Sequence, residues 1–125
     1  MSKQVIIVRK DIKMSTQKFA IQVSHASIES FLQYGGWVDD DFFELKIPPG
    51  SVSEWLKGIY TKIILQVDSL EELLELQQKA KNLPHALITD IGKTEFKEPT
   101  ITCLGIGPTD IKSINEITSH LKIYK

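Results

Sequence analysis

The chain has 125 residues, 42 % of them hydrophobic and 25 % charged, with a formal net charge of −1 and one cysteine. That length fits a single domain, residues 1–125, large enough to bury a core without staples. Cys103 alone excludes an internal disulfide, and no apolar run approaches the roughly 20 residues that a membrane helix needs. Arg9, Lys10 and Asp11 interrupt the only N-terminal apolar run, which argues against a signal peptide, so a cytoplasmic protein with no membrane partner is expected.

The near-zero charge hides a gradient. Lys3, Arg9, Lys10, Lys13 and Lys18 crowd the first eighteen residues against one acid, Asp11, whereas Asp39, Asp40, Asp41 and Glu44, then Glu71, Glu72 and Glu75, make the middle acidic. A basic end on a near-neutral chain can face phosphates.

Residues 4–9 (QVIIVR) read as a strand buried on both faces. A helix follows, capped by Ser15 or Thr16 and stopped near Tyr34 by Gly35 and Gly36. Along it Lys18, Gln22, His25 and Glu29 are spaced to return to one face, with Phe19, Ala20, Val23, Ala26 and Phe31 as packing neighbours. The acidic, aromatic stretch from residue 36 reads as a loop leading to a short helix at 51–56, where Ser51 and Glu54 have capping-box spacing. KIILQV (62–67) is a second strand. A third helix, capped by Asp68 or Ser69, carries Leu70, Leu73, Leu74 and Leu76 as its packing stripe. Residues 86–89 read as a third strand ending at Asp90, and 100–106 as a fourth, broken by Gly107-Pro108. A last helix runs from Thr109 or Asp110 to His120.

This alternation predicts an α/β three-layer sandwich, a four-stranded mixed β-sheet with helices on both faces. The connection between strands three and four is too short for a helical crossover, so that pair should be antiparallel.

In open α/β sheets ligands bind beyond the carboxyl ends of strands. That rule gathers Lys18, from the loop and helix after strand one, with Asp90 at the end of strand three and Gly92, Lys93 and Thr94 just beyond. Thr100 and Thr102 share one face of strand four by alternation, toward a pocket or a covering helix. Phosphate-binding glycine loops, HExxH, CxxC and GxSxG are all missing, and His25, His85 and His120 lack metal-ligand spacing, so neither a cofactor nor a metal is expected. With no activated serine and Cys103 in mid-strand, water is the nucleophile if the protein hydrolyses anything.

Five blocks in order, VIIVRKDIKM, Lys18-x-A-x-Q-x-x-H-A-S, KIILQVDSLEELLEL, LITDIGKTE and TITCLGIGP, resemble the type II peptidyl-tRNA hydrolase family from residue 4 to about 122. The resemblance implies hydrolysis of the ester joining a peptidyl group to the tRNA 3′ end, and a homodimer as a common assembly. Carried over by position, the family's site falls on Lys18, Gln22, His25, Asp90, Thr94 and Thr102, with Lys62 and Lys93 as further basic groups. In the mechanism this implies, Asp90 holds or deprotonates water and Lys18 stabilises the oxyanion, while Thr94 and Thr102 orient water or ribose and His25 holds its neighbours. Gln22, Lys62, Lys93 and Thr100 would bind substrate, and the N-terminal basic residues with Lys93 or Lys97 would meet tRNA phosphates.

The chain also departs from the family's pattern. Ser15, Thr16, Gln17 and Lys18 stand where a Gly-Lys-Gly-Lys run is usual, Glu95 replaces a glutamine and Pro99 a glycine, and residues 36–58 are unlike the usual linker. A divergent homologue acting on another ester or amide, or a non-catalytic tRNA-binding module, are the competing expectations.

Overall fold

Five strands make the central sheet, one more than the sequence pattern suggested. The computed structural model describes residues 1–125. Its elements run β1 (Ser2–Arg9), α1 (Thr16–Phe31), a 3-10 turn (Leu32–Tyr34), β2 (Gly35–Trp37), β3 (Phe43–Leu45), α2 (Ser51–Lys57), β4 (Lys62–Val67), α3 (Leu70–Lys79), β5 (His85–Asp90), β6 (Thr100–Asp110), α4 (Ile111–Thr118) and β7 (Lys122–Ile123). The sheet order is β5-β6-β1-β4-β7. β1 pairs with β4 in parallel and with β6 antiparallel, and β5 runs antiparallel to β6, as the short connection required. The unexpected fifth strand is β7, whose two residues pair with Leu65 and Gln66 of β4. Two residues carry too little alternation to be read as a strand.

The sheet's two faces build two cores. Val5, Ile7, Leu65, Val67, Leu104 and Ile106 meet Leu73 and Leu76 of α3 and Ile114 of α4. Ile6, Val8, Ala86, Ile88 and Cys103 face α1 through Ala26. The middle of β1 is fully buried because a helix layer covers it on each side.

Several boundaries differ from the expectation for identifiable reasons. The acidic loop contains a small hairpin, β2 with β3, whose tip is turned by Asp39 Oδ1 accepting from the N–H groups of Asp41 and Phe42. Gly50, without a side-chain cap, precedes α2, so Ser51 is already helical and the Ser51–Glu54 capping box does not form. Ser69 does cap α3, its Oγ accepting from Glu72 N at 3.1 Å. Leu74 leaves the packing stripe and is exposed, whereas Leu73 and Leu76 are buried. Gly107-Pro108 does not end β6. The strand continues to Asp110 with a register shift against β1 at Lys3/Val5.

The most consequential difference lies on α1. Its buried face is Lys18, Gln22, Ala26 and Ser30, a strict four-residue step, and His25 and Glu29 lie exposed to one side. Hydrogen bonds, rather than hydrocarbon, seat much of this helix. Ser30 Oγ donates to Gly107 O at 2.6 Å, Ser27 Oγ donates to Gln4 Oε1 at 2.6 Å, and Gln4 Nε2 donates to the carbonyls of Ser27 and Gly107. The approach is close. A Cβ on Gly105 would stand 2.6 Å from Ala26 O, well inside contact distance.

Candidate active site

The carboxyl ends of β1 and β5 lie at the same end of the sheet, and the first turn of α1 arrives there. Ser15 caps that helix, accepting from Lys18 N at 3.1 Å. One turn in, Lys18 is 8 % exposed, so its ammonium is held among protein groups. It donates to Asp90 Oδ2 at 2.8 Å and to the hydroxyl of Thr94, and lies 5.8 Å from the centre of the Phe96 ring. Both charged side chains are about nine-tenths buried, at 10 % and 9 % exposure.

Asp90 is bound on both oxygens. Oδ2 also accepts from Gln22 Nε2 at 3.1 Å, and Oδ1 accepts from the N–H of Gly92 at 2.8 Å. The Lys18 bond, then the Gly92 N–H, hold its carboxyl below the usual carboxylate range. Gly92 has φ +81°, and a Cβ there would run into the backbone of Glu98, so the residue that supplies this N–H is restricted to glycine.

A β-bulge sets the far wall. Ile88 of β5 pairs with Cys103 but Thr89 pairs with Ile101, leaving Thr102 as an extra residue in β6. Alternation is interrupted there, and the consecutive residues Thr102 and Cys103 both reach Gln22. Thr102 Oγ1 donates to its side-chain Oε1 at 2.7 Å, and Cys103 Sγ to its carbonyl at 3.5 Å. Burial drives the Cys103 thiol up to about 12, which makes it an inert packing group.

Lys18, Gln22, Asp90, Thr94 and Thr102 thus form one connected cluster. The remaining sequence candidates lie outside it. His25 is exposed in a groove beside β5, and the hydroxyl of Thr100 turns back to Glu98 O at 2.9 Å. Lys93 is exposed on the connection after Asp90. Lys62 opens β4, opposite Gln4 and at the other end of the sheet, over the rings of Trp55 and Tyr60. Two residues named from the sequence have roles that it did not reveal. Gly92, already gathered beside Asp90, supplies its backbone N–H to that carboxylate. Glu95 carries no sequence signal as a partner of Ser15: its carboxylate accepts from both the Ser15 N–H and hydroxyl, closing the 91–99 connection onto the start of α1. No three His, Cys, Asp or Glu side chains are grouped closely enough to hold a metal.

The geometry defines an α/β sandwich whose sheet edge presents a buried lysine–aspartate pair surrounded by hydroxyl and amide groups. The chain belongs to the family described as Peptidyl-tRNA hydrolase PTH2, whose model matches residues 2–124. It is 41 % identical over 127 residues to a peptidyl-tRNA hydrolase of Methanopyrus kandleri, with all of both chains covered. It is 38 % identical to that of Saccharolobus solfataricus, covering 98 % of this chain and 99 % of the relative, and 39 % identical to that of Saccharolobus islandicus strain L.S.2.15 over the same shares.

Proposed function

We propose that this chain hydrolyses the ester between a peptidyl group and the 3′ end of tRNA, in the cytoplasm, with water as nucleophile. The observation that carries the reading is the Lys18–Asp90 pair, buried at the sheet edge in a chain matched over its whole length to hydrolases of that name.

Water oxygen bonds to the ester carbonyl carbon, the carbonyl oxygen takes negative charge, and the bond to the ribose oxygen then breaks as that oxygen takes up the proton that the attacking water releases. Lys18 Nζ is the group to stabilise the developing oxyanion, since a fixed cation in a partly dry site is effective there. Asp90, kept ionised by its donors, is a weak base. Its work is to hold Lys18 and orient the water. Thr94 positions water or the terminal ribose from the other side of Lys18, and Thr102 acts through Gln22. Lys93, Lys97 and the N-terminal basic residues meet tRNA phosphates by charge. A homodimer remains the assembly suggested by the family resemblance.

Glu95, on the 91–99 connection and bonded to Ser15 at the start of α1, favours a second reading, a divergent relative that takes another ester, because its carboxylate stands beside the site. Release of N-acetylamino acid from N-acetyl-aminoacyl-tRNA separates the two. Cleavage by the wild-type chain that is lost in Lys18→Ala and Asp90→Ala supports the first, and absence of cleavage at every salt concentration removes it.

A further inference from the structure

We infer that the free edge of β5 is the subsite for the peptidyl chain, which docks there as an added parallel strand. The inference rests on the hydrolase reading and extends it to the half of the substrate that the Lys18–Asp90 cluster does not hold.

The two edges of the sheet are treated differently. The β7 edge is only two residues long and carries Lys122, a common way of blunting an edge against further pairing. The β5 edge is six residues long, HALITD, with neither proline nor lysine, and the extra residue of its bulge lies in β6 rather than in β5. No backbone group of residues 86–90 bonds to backbone outside the β5–β6 ladder, so the outward row of N–H and C=O groups stays available. Alongside this edge runs an open groove of about 590 Å³, lined by His25, Ile28 and Glu29 of α1, by Leu32 of the 3-10 turn and by Leu87, Ile88 and Thr89 of β5.

Position identifies the occupant. The groove begins at Thr89, next to Asp90, and at His25, about one turn from Gln22. A peptidyl ester with its carbonyl at Lys18 must send its chain away from that point. Leading back along β5, it has its C-terminal end at the C-terminal end of the strand, which fixes the added strand as parallel. Pairing through main-chain groups is indifferent to side chains, as suits an activity on peptides of any sequence. The alternating side chains meet Ile28 and Leu32 on one side and solvent on the other. An aminoacyl ester with a free α-amine lacks the acyl–amide unit that such pairing uses.

The test compares N-acetyl-Ala-tRNA with N-acetyl-(Ala)2-, (Ala)3- and (Ala)4-tRNA, and with the same substrates N-methylated at single amides. Strand addition predicts KM falling with length up to about four residues, by about fivefold for each pairing hydrogen bond, and N-methylation cancelling the gain at alternate amides only. In Ile28→Asp, an exposed position in the groove wall, the gain with length disappears. A non-hydrolysable 3′-(N-acetyl-tetra-alanyl)amino-adenosine should slow deuterium exchange in residues 85–90. Rates that ignore length and methylation overturn the inference while cleavage of N-acetyl-Ala-tRNA still upholds the hydrolase. Equally, a dimer in sedimentation whose outward-facing 85–90 amides are already protected without ligand overturns it, because a second copy then occupies the edge.

Discussion

The hydroxyl of Thr102 donates to Oε1 of Gln22 at 2.7 Å, and that bond determines which end of the Gln22 amide faces Asp90. With the oxygen occupied, the NH2 group is directed to Asp90 Oδ2 at 3.1 Å, and a carboxylate can only accept. A threonine that touches no charged group therefore orients a donor on the central one.

Thr102→Val removes that control while keeping the side chain's shape. Gln22 is then free to turn its oxygen toward Asp90, and kcat on N-acetyl-aminoacyl-tRNA should fall about tenfold with little change in KM, the loss of one oriented hydrogen bond. Gln22→Glu should be worse than Thr102→Val, because it sets a second carboxylate against the first. Equal effects in the two variants would show that Thr102 does not act through Gln22.

The two members of the charged pair are not equivalent to the fold. Asp90 without Lys18 keeps the Gln22 and Gly92 donors, whereas Lys18 without Asp90 keeps only the Thr94 hydroxyl. Asp90→Ala should therefore destabilise by about 3 kcal/mol, the scale of a buried charge left unpaired, and Lys18→Ala by clearly less. Urea unfolding of both proteins measures the difference, and both should lose cleavage.

Asp90 also sets an acid limit. Its pKa is lowered in the folded chain, so the stability it contributes is complete above the unfolded value near 4 and is lost as pH falls through the lowered one. Between about pH 5 and pH 8 this group should leave both melting temperature and turnover flat. An activity limb near pH 6 that vanishes in Asp90→Asn would contradict the direction of this shift.

On the proposed hydrolase function, Glu95 stands beside the place where a polyanionic substrate enters. Glu95→Gln keeps an acceptor for the Ser15 donors while deleting the charge, so KM for a tRNA substrate should fall roughly threefold at low salt. The gain should shrink as salt screens the remaining contacts.

Gly105→Ala tests the closeness of α1. The added methyl meets Ala26 O at 2.6 Å and must push the helix outward, at a cost of about 1–3 kcal/mol. A fall of several degrees in Tm is expected, together with lost turnover, because Lys18 and Gln22 ride on the displaced helix. An unchanged Tm would mean the helix is not seated as described.

The sequence made the long elements legible because their periodicity is strong: β1, β4, α1 and α3 lie within a few residues of expectation. It made Lys18, Gln22 and Asp90 legible through the strand-end rule and helical spacing. It could not show that His25 leaves the α1 stripe. Steps of four and three both fit one face of a helix, and only the sheet beneath decides which of them is buried. Nor could it place Thr102, since a bulge is a mismatch between two strands and has no local signature in either. β7 escaped for the opposite reason, being too short to have a pattern.

The polar underside of α1 has a mechanical consequence. Oily surfaces tolerate sliding, since one methyl contact replaces another, but a helix pinned by Lys18–Asp90, Gln22–Thr102, Ser27–Gln4 and Ser30–Gly107 fits its seat in one position only. A shift of a single ångström loosens all four pins together. The element that carries the lysine thus behaves as a keyed shaft rather than a bearing, and its alignment is fixed along the full length of the helix rather than at the site alone.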